Sequence, residues 1–143
     1  MKSKLISSNG AKMYAVIFEP GEEAVSGLSQ FAKEANLRGS HLTAIGAFQD
    51  FVLGYFELDK KGYKKIPIDE QVEVLSLVGD IALYKGESIL HVHAVVGTSN
   101  GMAHGGHLVQ AHVRPTLAVI VTESPKHLCR EHDEATGLAL IRL

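Results

Sequence analysis

Only one stretch of this chain repeats apolar residues at helical spacing, so most of the fold has to be sheet. Between Ala24 and Asn36, the residues Val25, Leu28, Phe31, Ala32 and Ala35 form one apolar face, with Ser26 and Lys33 off it. Glu22 and Glu23 precede it, where the helix dipole favours acidic groups, and Asn36 or Gly39 can supply a left-handed cap. The other apolar residues come in short, β-branched runs bounded by turn residues, which read as strands. These runs are Met13–Phe18, His41–Phe48, Val52–Leu58, Tyr63–Ile66, Val72–Leu83, Leu108–Val113, Thr116–Thr122 and Leu138–Leu143, besides one that carries histidines. Gly46 inside a strand marks a bulge or close approach. Gly79-Asp80 breaks the alternation of the fifth run, and Arg114-Pro115 separates the sixth from the seventh. The expected fold is α+β: a mixed, mainly antiparallel sheet of about eight strands, curled toward a barrel, with one main helix packed on it. At 143 residues the expectation is one domain over 1–143, with 1–10 a flexible lead-in.

The histidine run is Ile89–Leu108, ILHVHAVVGTSNGMAHGGHL, which holds four of the eight histidines. On a strand His91 and His93 point to the same face, with Cβ atoms roughly 6–7 Å apart. Two such imidazoles can lean onto one metal ion. The chain turns through Gly97-Thr98-Ser99-Asn100-Gly101 and returns at His104-Gly105-Gly106-His107. His104 and His107 compete for a third place. His107 is preferred because Leu108 and Val109 behind it suggest an anchoring strand. Three imidazoles would leave one coordination position open, as catalytic zinc sites do.

Composition excludes several classes of function. The net charge of −2 builds no basic field for nucleic acid, and there is no tryptophan for base stacking. Cys129 is the one cysteine, so neither an intrachain disulfide nor a cysteine zinc site can form; this fits a reducing, cytoplasmic setting, and Cys129 reads as a passive thiol. No apolar h-region follows the first lysines, and no apolar stretch reaches the roughly 18 residues of a membrane span. The lysines at 60, 61, 64 and 65 read as a solvated edge that discourages strand pairing, against a nucleic-acid patch.

From about Lys12 to Leu143 the order of these pieces resembles the plants-and-prokaryotes-conserved (PPC) domain in its stand-alone prokaryotic form. The motifs carrying the resemblance are His91-Val92-His93-Ala94-Val95-Val96-Gly97, Gly105-Gly106-His107-Leu108, Glu134-Ala135-Thr136-Gly137-Leu138, and a central strand, Glu73-Val74-Leu75-Ser76-Leu77-Val78-Gly79. The resemblance implies a homotrimer and, in some prokaryotic members, a zinc ion held by the histidines matched here by His91, His93 and His107. It also implies a fold similar to that of acetolactate decarboxylase. The family's DNA-binding label comes from plant proteins in which an AT-hook precedes the domain. This chain has no Arg-Gly-Arg-Pro segment and no basic arm, and Gln71-Val72 stand where the plant central strand has Gly-Arg-Phe before Glu73.

The expected function is therefore a trimeric zinc protein that binds a small molecule or acts on it as a lyase or hydrolase. Two alternatives stand beside it: a DNA-associated regulator, and a trimeric interaction module with structural metal. Turnover would need a proton carrier or charge stabiliser nearby. Glu123 at a strand end is the first candidate, as fourth ligand or acid–base group, against a plain solvated charge. Arg114 could orient a carboxylate or phosphate bidentately, against a subunit salt bridge. His104 and His112 are further candidates. His41, His127 and His132 are assigned no role, and Ser99 lacks a nucleophile elbow. A trimer also has a physical motive: strands such as Thr116–Thr122 are apolar on both faces, and one helix cannot cover the sheet.

Overall fold

The computed structural model describes all residues, Met1–Leu143. The chain runs β1(Lys2–Ser7), β2(Lys12–Phe18), α1(Ala24–Glu34), β3(Gly39–Glu57), β4(Gly62–Ile68), β5(Val72–Tyr84), β6(Glu87–Gly97), β7(Ala103–Glu123), β8(Cys129–Asp133) and β9(Leu138–Arg142), with a 3-10 turn at Leu58–Lys60. All nine strands belong to one sheet, with β1-β2-β7-β3-β5-β8-β9 in order and β4 and β6 off that path. Every pairing is antiparallel except the short parallel contact of β5 with β8. The expected α+β architecture holds, and so does the curl. β3 pairs with β5, β5 with β6, β6 with β7, and β7 back with β3, so four strands close a ring.

The helix sits where its apolar period predicts and packs on β6 and β7. Glu23 caps it: its carboxylate accepts the N–H groups of Val25 and Ser26, and also that of Ala111 in β7, so one side chain both starts the helix and ties it to the sheet. Burial would raise this carboxyl, but those bonds hold it below its ordinary value. Asn36 takes the left-handed conformation at the other end, with φ 53°. Leu28 and Phe31 meet Phe18, Leu42, Val92 and Leu108 in the core.

Several boundaries differ from expectation. Residues 2–7 are an edge strand paired with β2 rather than a flexible lead-in. Their side chains are mostly exposed, so no burial pattern marks them. The runs 41–48 and 52–58 are one strand, β3, which keeps its course through bulges near Gly46, Phe48 and Val52. The runs 108–113 and 116–122 likewise belong to one strand, β7, with extra residues accommodated around Arg114-Pro115-Thr116. Gly79-Asp80 does not break β5. A Cβ on Gly79 would lie 2.2 Å from the His91 carbonyl oxygen, so the glycine is what lets β6 approach. Cys129–Asp133, a run with no apolar alternation to mark it, is β8. No helix is long and apolar enough to cross a membrane.

Candidate metal centre

Two hairpins place the histidines. β5 turns into β6 through Lys85 and Gly86, both at positive φ (52° and 84°), as a two-residue hairpin requires. That turn sets Tyr84 opposite Glu87 and, counting back, Asp80 opposite His91 and Val78 opposite His93. β6 turns into β7 through Thr98–Met102, held by Gly101 N–H to Thr98 O and by the Asn100 side chain, which accepts the Met102 N–H. This second turn sets His93 opposite His107. Along β6, Val92, Ala94 and Val96 face the helix and are buried, so His91 and His93 lie on the other face of the sheet.

One ligand atom from each of His91, His93 and His107 lies within 4.8 Å of the other two. Their ring centroids are 5.0, 5.3 and 5.6 Å apart. Tyr63 of β4 stacks on the outer side of His107 at 4.6 Å. It can do so because Gly54 lies between them: a Cβ there would sit 2.8 Å from the Tyr63 ring. Burial, and then the neighbouring His91 and His93, lowers the His107 pKa to about 4. Burial and His91 lower His93 in the same direction. Both imidazoles are thus neutral at pH 7, the form that has a lone pair to give. His107 Nδ1 is buried with no hydrogen-bond partner. Such an orphan costs about 1–3 kcal/mol, and a cation accepting nitrogen would satisfy it. The donor set and its protonation therefore fit a metal of the zinc type.

Asp80 stands beside the site, one oxygen 3.8 Å from His91 Nδ1 and the other on Arg130. Burial would raise its carboxyl, but His91 and Arg130 together hold it below its ordinary value. Asp80, Arg130 and Tyr63 were not among the sequence candidates. For Asp80 a signal existed: a two-residue turn at Lys85-Gly86 pairs it with His91 by counting alone. Nothing local points to Arg130 or Tyr63.

The other candidates lie elsewhere. His104 is three residues from His107 on a regularly paired stretch and therefore faces the opposite side of β7. Glu123 ends β7, paired with Ser40 rather than near the His107–Gly54 pair. Its carboxylate accepts the N–H groups of Arg38 and Gly39 and the Ser40 hydroxyl, and so clasps the start of β3. Arg114 is exposed on the bulge of β7, seven residues along from His107. The structure brings neither Glu123 nor Arg114 to the histidines. His112 is held by Asp50 at 2.6 Å, and Cys129 is a free, exposed thiol.

Residues 6–125 match the family model of the Plants and Prokaryotes Conserved (PCC) domain. Among solved structures, a plant- and prokaryote-conserved protein of Pyrococcus horikoshii is 29% identical with a TM-score of 0.85, covering 99% of this chain and 95% of that one. A metal-containing protein of Archaeoglobus fulgidus is 31% identical with a TM-score of 0.85, covering 98% and 99%. A candidate DNA-binding protein of Bacteroides thetaiotaomicron, at 24% identity and a TM-score of 0.88 over 98% and 96%, shares the fold. The α-acetolactate decarboxylase of Bacillus subtilis shares it more loosely, with a TM-score of 0.54, 16% identity, and 88% and 58% coverage. A curated relative, the bifunctional protein GlmU of Synechococcus, is 28% identical over 129 residues; the match spans 88% of this chain and 19% of that protein's length.

Proposed function

This chain belongs to the Plants and Prokaryotes Conserved domain family, and on that premise we propose that it is a homotrimeric zinc protein that uses His91, His93 and His107 to engage a small molecule. The convergence of three imidazole ligand atoms within 4.8 Å carries this reading. The metal-containing relative, similar over nearly its whole length, supports it. Bound there, zinc would offer an open position and Lewis acidity toward a water or a carbonyl oxygen. The chain's own residues do the rest. Burial keeps His107 unprotonated and Tyr63 packs its ring, so the imidazole has little freedom to turn. Asp80 sets a negative charge beside His91.

An exposed apolar row across β2, β7, β3 and β5 supports self-association. Ile17 and Ile45 flank Ala118, and Ile120 and Val78 flank Thr43. Ile45 is 66% exposed and Leu75 on β5 is 56% exposed, and contiguous apolar surface of this kind marks interaction sites. The row ends at Val78, opposite His93. The three-fold order follows the family resemblance.

Metal analysis of protein purified without a polyhistidine tag or added metal tests the site. The expected result is stoichiometric zinc in the native chain and its loss in His93→Ala and in His107→Ala, with both variants folded by circular dichroism. Folded variants that keep full zinc would sink the assignment.

A further inference from the structure

Resting on that reading, we propose that Asp80 and Arg130 are positioning residues for the histidine site, and that the β8–β9 hairpin is coupled through them to metal occupancy. The hairpin lies beyond residue 125, where the family match ends. It joins the sheet through the Leu83–Cys129 pairing, with Leu83 N–H donating to Leu128 O at 2.8 Å. From it Arg130 reaches inward and is only 8% exposed.

The Asp80 carboxylate divides its two oxygens between two partners. Oδ1 accepts from Arg130 Nη2, and Oδ2 faces His91 Nδ1. Arg130 Nη1 donates to the Ala139 carbonyl in β9 at 2.9 Å. The planar guanidinium is thus held by β9 on one side and by Asp80 on the other, and its bond to Oδ1 keeps Oδ2 turned toward His91. A carboxylate facing one imidazole nitrogen favours the proton on that nitrogen, so the Nε2 lone pair of His91 is the one left for a metal.

Charge adds to orientation. Arg130 is a nearly buried cation close to a site for another cation, and Asp80, 27% exposed, is the one carboxylate that neutralises it. Replacing Asp80 by Asn would lose the orienting charge and leave the two cations facing each other. Replacing Arg130 by Met would free the carboxylate to swing from His91. Coupling of this kind is reciprocal: if the hairpin favours metal, metal must favour the docked hairpin to the same extent.

The test is competition for zinc between the tag-free protein and a chromophoric chelator, for the native chain, Asp80→Asn, Arg130→Met, Arg130→Lys and the Asp80→Asn/Arg130→Met pair. The positioning role predicts affinity about 10- to 100-fold weaker in Asp80→Asn and Arg130→Met. It also predicts partial recovery in Arg130→Lys, and a double variant about as weak as the weaker single variant, well short of the sum of the two losses, because both residues act through one contact. Hydrogen exchange on the native chain needs no variant: amides of Cys129–Arg142 should exchange more slowly with zinc than without. Native affinity in folded Asp80→Asn and Arg130→Met, or exchange in the hairpin indifferent to zinc, overturns the coupling while leaving the three-histidine site standing. A native chain that takes no zinc overturns the site itself.

Discussion

His107 is the residue through which burial and chemistry meet. The unfolded chain protonates it near pH 6.5, whereas the folded chain resists until about pH 4 because the imidazole is buried beside His91 and His93. Between those values the unfolded state binds more protons, so stability rises with pH and falls as the solution is acidified. The metal-free protein should therefore lose melting temperature steadily from about pH 6.5 down to about pH 4. In His107→Gln the slope should be shallower, with what remains coming from groups such as His93, whose pKa moves the same way. Thermal melts in chelator across that range check this, and equal slopes would count against it. At this scale the sequence was informative about His91, His93 and His107 and uninformative about what surrounds them. Glu123 looked available because it ends a strand. Its role is set by Arg38, Gly39 and Ser40, which come from the far side of the helix connection.

At the scale of elements, the β5–β6 hairpin sets the geometry of the site. Gly79 sits where a methyl group would meet the His91 carbonyl at 2.2 Å and the Val92 side chain at 2.6 Å. The clash is with backbone, so no rotamer change relieves it. Gly79→Ala should cost about 2–3 kcal/mol in denaturant unfolding and weaken zinc binding too, because it pushes β6 away from β5 at the level of His91. Retained stability with retained affinity would show that the strands can separate there without moving the imidazole. The same hairpin shows how far local reading reaches. A two-residue turn determines its own register, so the Asp80–His91 pair was within reach of counting. The joining of two runs into β3, and of two more into β7, was not. Bulges at Gly46 and around Arg114–Thr116 keep those strands paired across residues that look like breaks, and only their partners show it.

For the molecule as a whole, the ring of β3, β5, β6 and β7 has its helix on one face and an apolar row on the other. If that row is covered by other copies, sedimentation should give a mass three times 15.4 kDa for the chain. Ile45→Lys, at the most exposed position of the row, should shift it toward the monomer without unfolding it. An unchanged mass in that variant would move the interface elsewhere. A net charge of −2 per chain gives counterion release little to work with, so gel shifts at low salt should show no DNA binding, and a salt-sensitive shift would overturn this.

Two properties of this chain are local and were therefore determined by its sequence alone. Alternation along β6 put His91 and His93 on one face, and spacing at 3.6 residues per turn made Ala24–Glu34 the one α-helix. Each follows from the geometry of a few consecutive residues. Tertiary structure alone decided that Arg130 from the last hairpin braces Asp80, that Tyr63 covers His107, and that Glu123 and Arg114 stay away from them. Those contacts depend on how a long, bulged sheet closes on itself. Each bulge changes which side chains share a face, and the residues that meet are separated in sequence by tens of positions.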